Sequence, residues 1–310
     1  MSNTLLSVVI ANYNYGRFLE DAIKSVLNQS VDGKVELIIC DAASTDDSVQ
    51  IIKKYANGLP PNTELPDTQH QSRNNSRLIT WWCSEKDGGQ SDAFNKGFSH
   101  AHGKFLTWLN ADDIMAYDAI EKLSAAVSHH PECEWFIGGS CWLDPSLKIV
   151  LCTRARPLSR IRASGGDIQA YGPSSFFSRE LFERVGGYVD ERFHYMMDIE
   201  LWNRFYHQGG ASYQILPGYV WGFRMHPEAK TSGHRFAESD YANPENPIWE
   251  KRNHESELNA SMYCSKPITF VRRVLSVSWR LMLLGKIDSL LRRGQSFFEI
   301  ATVHRESAKK

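Results

Sequence analysis

The chain has 310 residues, 42% of them hydrophobic, with 35 Lys plus Arg against 36 Asp plus Glu and a formal net charge of -1. That length allows one large α/β domain or two modest ones, and the apolar share excludes wholesale disorder. The balanced charge leaves no basic excess to hold a nucleic-acid backbone, and no apolar run approaches the roughly 20 residues of a membrane span, so neither nucleic acid nor a spanning helix is expected.

The opening MSNTLLSVVIANYN has no basic leader and reads directly into a strand, residues 5–10, that ends in the loop ANYNYG. Phe18, Leu19, Ala22, Ile23, Val26 and Leu27 then recur at helical spacing. Residues 35–40 (VELIIC) form a second strand closed by DAASTDD, where Ser44 and Asp46 are N-cap candidates for the helix DSVQIIKKYA. Strand, helix, strand, helix with short loops predicts a parallel βαβ array whose active loops gather at the carboxyl ends of the strands. Residues 57–77 are polar and rich in Pro and Asn, as in a surface loop. LITWWCSE predicts a strand, SDAFNKGFSHA a helix, KFLTWLNADD a strand ending in acid, and AYDAIEKLSAAVSHH a helix. WFIGGSCWL and LKIVLCTR predict a hairpin around Asp144-Pro145. RELFERVGGY and MMDIELWNRFYHQG are two helical segments split by a Gly-Gly, and ASYQILPGYVWGFRMH is the last strand-like stretch. The six cysteines form neither a C-x-x-C pair nor a cluster, which fits a reduced, cytoplasmic chain rather than a disulfide frame or a zinc site.

Composition divides the chain into a domain over 1–232 and an extension over 233–310, a polar linker followed by basic amphipathic helices; the polar, Pro- and Asn-rich stretch 227–265 reads as loop plus some helix. From Lys266 onward ten basic residues face three acidic ones, with apolar residues interleaved at helical spacing. Such a 266–310 tail suits either peripheral contact with an anionic membrane face or a solvated helical pair that closes one side of the domain.

The strongest local chemical signal is Asn110-Ala111-Asp112-Asp113. Two adjacent carboxylates repel unless a divalent cation sits between them and an anionic ligand; hard oxygen donors of this kind suit Mg²⁺ or Mn²⁺. The plainer reading is a helix cap. Three other strand ends carry polar loops on the same edge: Asn12-Tyr13-Asn14, Asp41 through Asp46, and Glu85 through Gln90. Glycine cradles of the G-x-G-x-x-G and G-x-x-x-x-G-K types are absent, so a nucleotide here would be held by side chains and a metal. In Met197-Asp198-Ile199-Glu200, helical geometry points Asp198 and Glu200 about 200° apart, so only one can face a pocket. Trp81-Trp82 and Phe176-Phe177 read as core, His100 and His102 diverge too far on a helix to share a metal, and Gly172-Pro173-Ser174-Ser175 borders a pocket.

Taken together, SVVIANYNYGRFLEDAIKSVLNQS, ELIICDAASTDDS, SEKDGGQSDAFNKG, FLTWLNADD and GGYVDERFHYMMDIELWNRF resemble the inverting family-2 glycosyltransferases of bacterial cell-surface polysaccharide synthesis, over roughly residues 5–232. The resemblance implies an α/β GT-A fold, a Rossmann-like mixed sheet flanked by helices, with a helical C-terminal extension. It implies metal-dependent transfer, with Mn²⁺ or Mg²⁺, from a nucleotide-diphosphate sugar, UDP-linked, to a glycan or lipid-linked acceptor. Tyr13, with Ala11 and Asn12 beside it, falls where the family packs on the base. Asp41 matches the first acid of a D-D-G-S-T loop that reads uracil, but Ala42 and Ala43 replace the next Asp and the Gly, which removes one base contact. Asp87, Gln90, Asp92, Asn95 and Lys96 lie in a D-G-G-x-x-D-A-x-N-K-G segment that lines the nucleotide-sugar pocket. Asp112 and Asp113 match the DxD-type metal motif, with Asp113 the expected direct ligand and His226 a helper. Asp198 matches the catalytic base, with helix capping as the plainer alternative, and Glu200 and Arg204 are expected to be structural. Lys230 is placed near phosphate. A nucleotidyltransferase, or a catalytically inactive sugar-nucleotide-binding or membrane-recruited scaffold module, would share parts of this pattern.

Overall fold

The computed structural model describes residues 4–29, 35–63, 77–158, 163, 168, 172–230, 247–263 and 287–297. Most of the expected surface loop (64–76), the linker over 233–246, and the bulk of the basic tail (264–286 and 298–310) lie outside the described residues.

Four strands, β1 (Leu6–Asn12), β2 (Val35–Asp41), β3 (Arg77–Ser84) and β4 (Phe105–Asn110), pair in parallel. β1 and β2 are buried almost throughout, as a parallel sheet covered on both faces requires. Side-chain parity divides the core. Val8 and Ile10 join Leu19, Ile23 and Val26 of helix α1 (Gly16–Leu27), while Val9, Ile38 and Cys40 meet Phe94 and Phe98 of helix α3 (Gln90–Ser99) on the opposite face. α3 lies so close that a Cβ on Gly97 would stand 2.3 Å from Val9 Cγ1, so only glycine fits there.

Helix α2 (Ser48–Tyr55) follows β2, and of its two cap candidates Asp46 serves the first turn while Ser44 does not. The Ser44 hydroxyl donates to Asp41 Oδ1 instead of serving the helix. Asp46 accepts the Ser48 N–H through Oδ1 (3.0 Å) and the Gly16 N–H through Oδ2 (2.8 Å), so one carboxylate serves the first turns of both α2 and α1.

The second half of the sheet is mixed. It comprises β5 (Ile114–Met115), β6 (Trp135–Leu143), β7 (Ile149–Thr153), β8 (Ser175–Ser178) and β9 (Tyr213–Arg224). The nine strands run β3-β2-β1-β4-β8-β6-β9-β5, with β7 paired to β6 as the expected hairpin. Helix α4 (Ala119–His129) follows β5, and the short helix α5 (Arg179–Arg184) follows β8. The Gly186-Gly187 pair, both at positive φ, ends α5 and separates it from α6 (Met197–His207). Trp135, Trp202 and Trp108 stack in series, with ring centroids 5.3 and 5.4 Å apart, beneath the carboxyl end of β4.

Two segments beyond residue 232 pack on this body. Helix α7 (Pro247–Tyr263) runs along α6. Residues 287–297 follow β7, where Ser289 Oγ accepts from the Cys152 N–H, Asp288 receives Arg154 and Tyr219, and Phe297 enters the core. No helix among the described residues is long and apolar enough to cross a membrane.

Candidate active site

The carboxyl ends of β1, β2, β3 and β4 open into a cavity of ≈ 970 Å³, at the upper end of the usual range for small-molecule sites. Ala11, Asn12 and Tyr13 reach it from β1, Ala42, Ala43 and Thr45 from β2, and Lys86 through Gln90 from β3. The other boundary comes from α6, β6, β9 and α7.

The β2 loop is held by a saturated carboxylate. Asp41 Oδ1 accepts from Asn12 Nδ2 (2.6 Å) and Ser44 Oγ (2.5 Å), and Oδ2 accepts from Ser84 Oγ (2.6 Å) and the Ser44 N–H (3.1 Å). Asp41 is buried and lies behind the cavity lining rather than in it. Ala42 and Ala43 take its place at the surface, and Ala43 sits at φ 54°, a conformation that favours glycine. Tyr13, 62% exposed, stands free at the cavity mouth.

Of the segment after β3, Asp87 and Gln90 face the cavity. Burial pushes the Asp87 carboxyl above the ordinary range. Gln90 donates to Asn110 Oδ1 (2.7 Å) and accepts from Lys230 Nζ (3.0 Å), joining β4 to the 226–230 loop. The remaining residues support from behind: Asp92 accepts the Gly88 N–H, Asn95 exchanges hydrogen bonds with Val189, and Lys96 pairs with Glu85.

The adjacent acids after β4 diverge. Asp112 lines the cavity, its Oδ2 3.0 Å from His226 Nε2. Asp113 turns inward, fully buried, where Oδ2 accepts from Asn110 Nδ2 (2.7 Å) and Oδ1 from the Arg224 N–H (3.1 Å). In this structure the carboxylate offered to the cavity is Asp112, because the tight turn after Asn110 commits Asp113 to the backbone of β9. Burial, and then the charge of Asp112, lifts the Asp113 pKa well above the ordinary range. His226 is wedged between Tyr15 and Phe18, with its Nδ1 3.2 Å from Glu228 Oε2. Burial and the Asp112 charge push the Tyr15 hydroxyl up to about 12. This corner repels further negative charge; the oxygen donor it opens to the cavity is Asp112, which suits Mn²⁺ or Mg²⁺ with outside oxygens completing the shell, while the imidazole of His226, behind the lining, favours Mn²⁺ over Mg²⁺. No group of three or more His, Cys, Asp or Glu side chains placed to share a metal occurs among the described residues.

Asp198 sits in the first turn of α6 at the cavity surface, half-buried. Its Oδ1 accepts the Ile199 N–H (2.8 Å) and its Oδ2 the Gly172 N–H (3.2 Å). Burial raises its pKa, and those N–H donors together with the Lys230 charge offset part of the rise. Glu200 points the other way, as helical geometry requires, into a buried pair with Arg204 at 2.8 Å. His100 stacks on Trp81 and His102 lies by Glu36, so neither approaches the site.

Several lining residues carried no sequence signal. Trp142, Trp221 and Phe223 come from β6 and β9, which meet only through long-range pairing. His194, Tyr195 and Arg252 line the same cavity as Asp198, the last delivered by α7.

A parallel half-sheet that delivers acidic loops to one cavity, joined to a mixed half-sheet whose helix offers a carboxylate to the same cavity, defines a GT-A domain. The family model for glycosyl transferase family 2 matches residues 7–186, and the chain belongs to that family. An uncharacterized glycosyltransferase of Nostoc sp. is 35% identical over 118 residues, 38% of this chain and 31% of that protein. The minor teichoic acid biosynthesis protein GgaA of Bacillus subtilis is 30% identical over 123 residues, 38% of this chain and 24% of that one. The chain thus spans no more than about a third of the length of these relatives. Among solved structures, residues 1–349 of S. aureus TarS superpose with a TM-score of 0.52 at 15% identity, covering 98% of this chain and 92% of that one, a likeness of fold.

Proposed function

We propose that the chain is a metal-dependent, inverting glycosyltransferase that moves a sugar from a UDP-linked donor to an acceptor hydroxyl in cell-surface polysaccharide biosynthesis. The reading is carried by one observation: Asp112, with the buried His226 3.0 Å behind it, and the half-buried carboxylate of Asp198 both reach one cavity of ligand size, which the two carboxylates line. TarS has been solved with UDP-GlcNAc, and GgaA is named for teichoic acid synthesis, which supports a UDP-sugar and a surface polymer.

Asp112 and His226 would hold the divalent cation, Mn²⁺ or Mg²⁺, which when bound supplies positive charge to the diphosphate leaving group. Lys230 adds a second cation at the same lining. Tyr13 and the small side chains of Ala42 and Ala43 would receive the base. Asp198, with its proton affinity raised by burial, takes the acceptor hydroxyl proton, and the N–H groups of Ile199 and Gly172 hold its oxygens in place. Attack opposite the leaving group in one displacement inverts the anomeric centre. Peripheral contact with the inner face of the plasma membrane through 266–310 belongs to the same reading; within the described part, Leu290 and Leu291 are 75% and 70% exposed beside Arg292 and Arg293.

The test is a panel of sugar nucleotides with Mn²⁺, measured as nucleotide release with and without acceptor extracts. Asp198→Asn should lower turnover by about 10²–10⁴-fold and leave donor affinity within about threefold. Turnover equal to wild type in that variant removes Asp198 from the mechanism. Donor binding by the wild type without any release would instead favour an inactive binding module.

A further inference from the structure

The first N–H groups of a helix have no partner within it, and a side chain at or near the N-cap normally supplies one. The N-cap of α6 is Met196, which makes no side-chain cap hydrogen bond. Asp198 Oδ1 takes the Ile199 N–H within the first turn, and the acceptor for the N-cap N–H and for the two N–H groups before it comes from α7. Glu255 Oε1 accepts the His194 N–H at 2.9 Å, and Oε2 accepts the N–H groups of Tyr195 and Met196 at 2.8 and 2.9 Å. Glu255 is buried, and its charge lies at the positive end of α6, where an anion is favoured.

The contact belongs to a built stripe. Glu255, Asn259 and Tyr263 lie at i, i+4 and i+8 on α7 and so share one face. Asn259 Oδ1 accepts from Asn203 Nδ2 (3.3 Å), and the Tyr263 hydroxyl donates to Glu200 Oε1 (2.7 Å), its ring stacked on His207. The three residues thus meet α6 near its start, its middle and its end. His194 and Tyr195, whose N–H groups Glu255 holds, line the cavity, and Asp198 follows Met196 by two positions.

We propose that Glu255 is a positioning residue for transfer: its carboxylate fixes the backbone of 194–196 and so sets the first turn of α6 from which Asp198 meets the acceptor hydroxyl. This rests on the reading of Asp198 as the base. A displacement of about 1 Å in a reacting group can lower the rate about 10²-fold, so loosening this anchor is felt in turnover rather than in donor binding. Glutamine at 255 keeps the length and packing of the side chain but turns an NH₂ donor toward the N–H groups, so a role that is only steric would survive it.

The experiment uses the full chain with UDP-GlcNAc and Mn²⁺ as probe, following UDP release. Glu255→Gln should lower kcat at least about tenfold, with KM for the donor within about threefold. Hydrogen exchange in the wild type should show the amides of 194–196 protected, and in the variant that protection should be lost. A variant with wild-type kcat, or wild-type amides at 194–196 that exchange freely, overturns the proposal; the second measurement decides even if the variant fails to fold. Asp198→Asn is assayed in parallel. Full activity in it sinks the base assignment itself, whereas an inactive Asp198→Asn beside an unimpaired Glu255→Gln sinks only the positioning role.

Discussion

At the end of β4, Asp112 faces the cavity and Asp113 turns inward; in the first turn of α6, Asp198 faces the cavity and Glu200 turns inward. The outward members have different tasks in the proposed reaction, Asp112 to hold the cation and Asp198 to take the acceptor proton. The inward members are stabilised by different means. Glu200 meets a guanidinium whose other N–H groups are also used, on the carbonyls of Val185 and Tyr188, and it accepts in addition from Tyr263. Asp113 is held by the neutral N–H donors of Asn110 and Arg224, and its carboxyl responds by resisting ionisation. A paired acidic sequence therefore marks two sites of unlike energetics, and substitutions should separate them.

The largest effect belongs to the compensated pair. Arg204→Met leaves Glu200 buried without its cation, and urea unfolding should show a loss of about 3–5 kcal/mol. Replacing both, as Glu200→Leu with Arg204→Met, should recover much of that loss, since an apolar pair carries no desolvation penalty. A single variant as stable as wild type would mean that the pair is hydrated in solution.

A smaller effect separates the two acids after β4. With Mn²⁺ present, Asp112→Asn should weaken UDP binding by about tenfold or more, while Asp113→Asn should stay within about threefold, both read by calorimetry. The reverse ranking would return the metal to Asp113, as its place in the motif first implied.

How much of this was legible in the sequence follows from the range of the interactions. The parallel half could be read because each of its strands is a buried apolar run followed by a polar loop, so that Asn12, Asp87 and Asp112 fall at strand ends by local pattern alone. That only one of Asp198 and Glu200 could face the cavity was also readable, because helical periodicity is fixed; the choice of Asp198 came from the family resemblance. For Asp112 and Asp113 no period applies within a tight turn, and the choice is made by the Arg224 N–H, 111 positions later. The aromatic lining escaped for a related reason, since Trp142 and Phe223 become neighbours only when β6 pairs with β9 out of sequence order. Some helix was legible within 227–265, but not the extent or packing face of α7, because the stripe it turns to α6 is Glu255, Asn259 and Tyr263, a polar face to which hydrophobic periodicity is blind. Asp41 shows the opposite limit: its position matched the motif, yet four donors drawn from β1, β3 and its own loop hold it behind the lining.

The smallest effect concerns pH. Burial lowers the Lys230 pKa to about 8, and the charges of Glu255 and Asp198 oppose that shift; His194, itself depressed by burial and by the Lys230 charge, lies in the same cavity lining. Because the folded value lies below the unfolded one, the stability contributed by the neutral amine is complete above the unfolded pKa and is lost as pH falls through about 8. Near neutrality the buried ammonium therefore opposes folding, and Lys230→Met should unfold at higher urea than wild type at pH 7 while the two converge at high pH. Activity runs the other way. The profile of kcat/KM should rise through an acid limb set by the raised carboxyl of Asp198 and fall through an alkaline limb near 8 as Lys230 loses its charge. Lys230→Arg keeps the charge at all accessible pH, so its alkaline limb should leave the measured range. An alkaline limb that stays in place in the arginine variant assigns it to another group and removes Lys230 from donor binding.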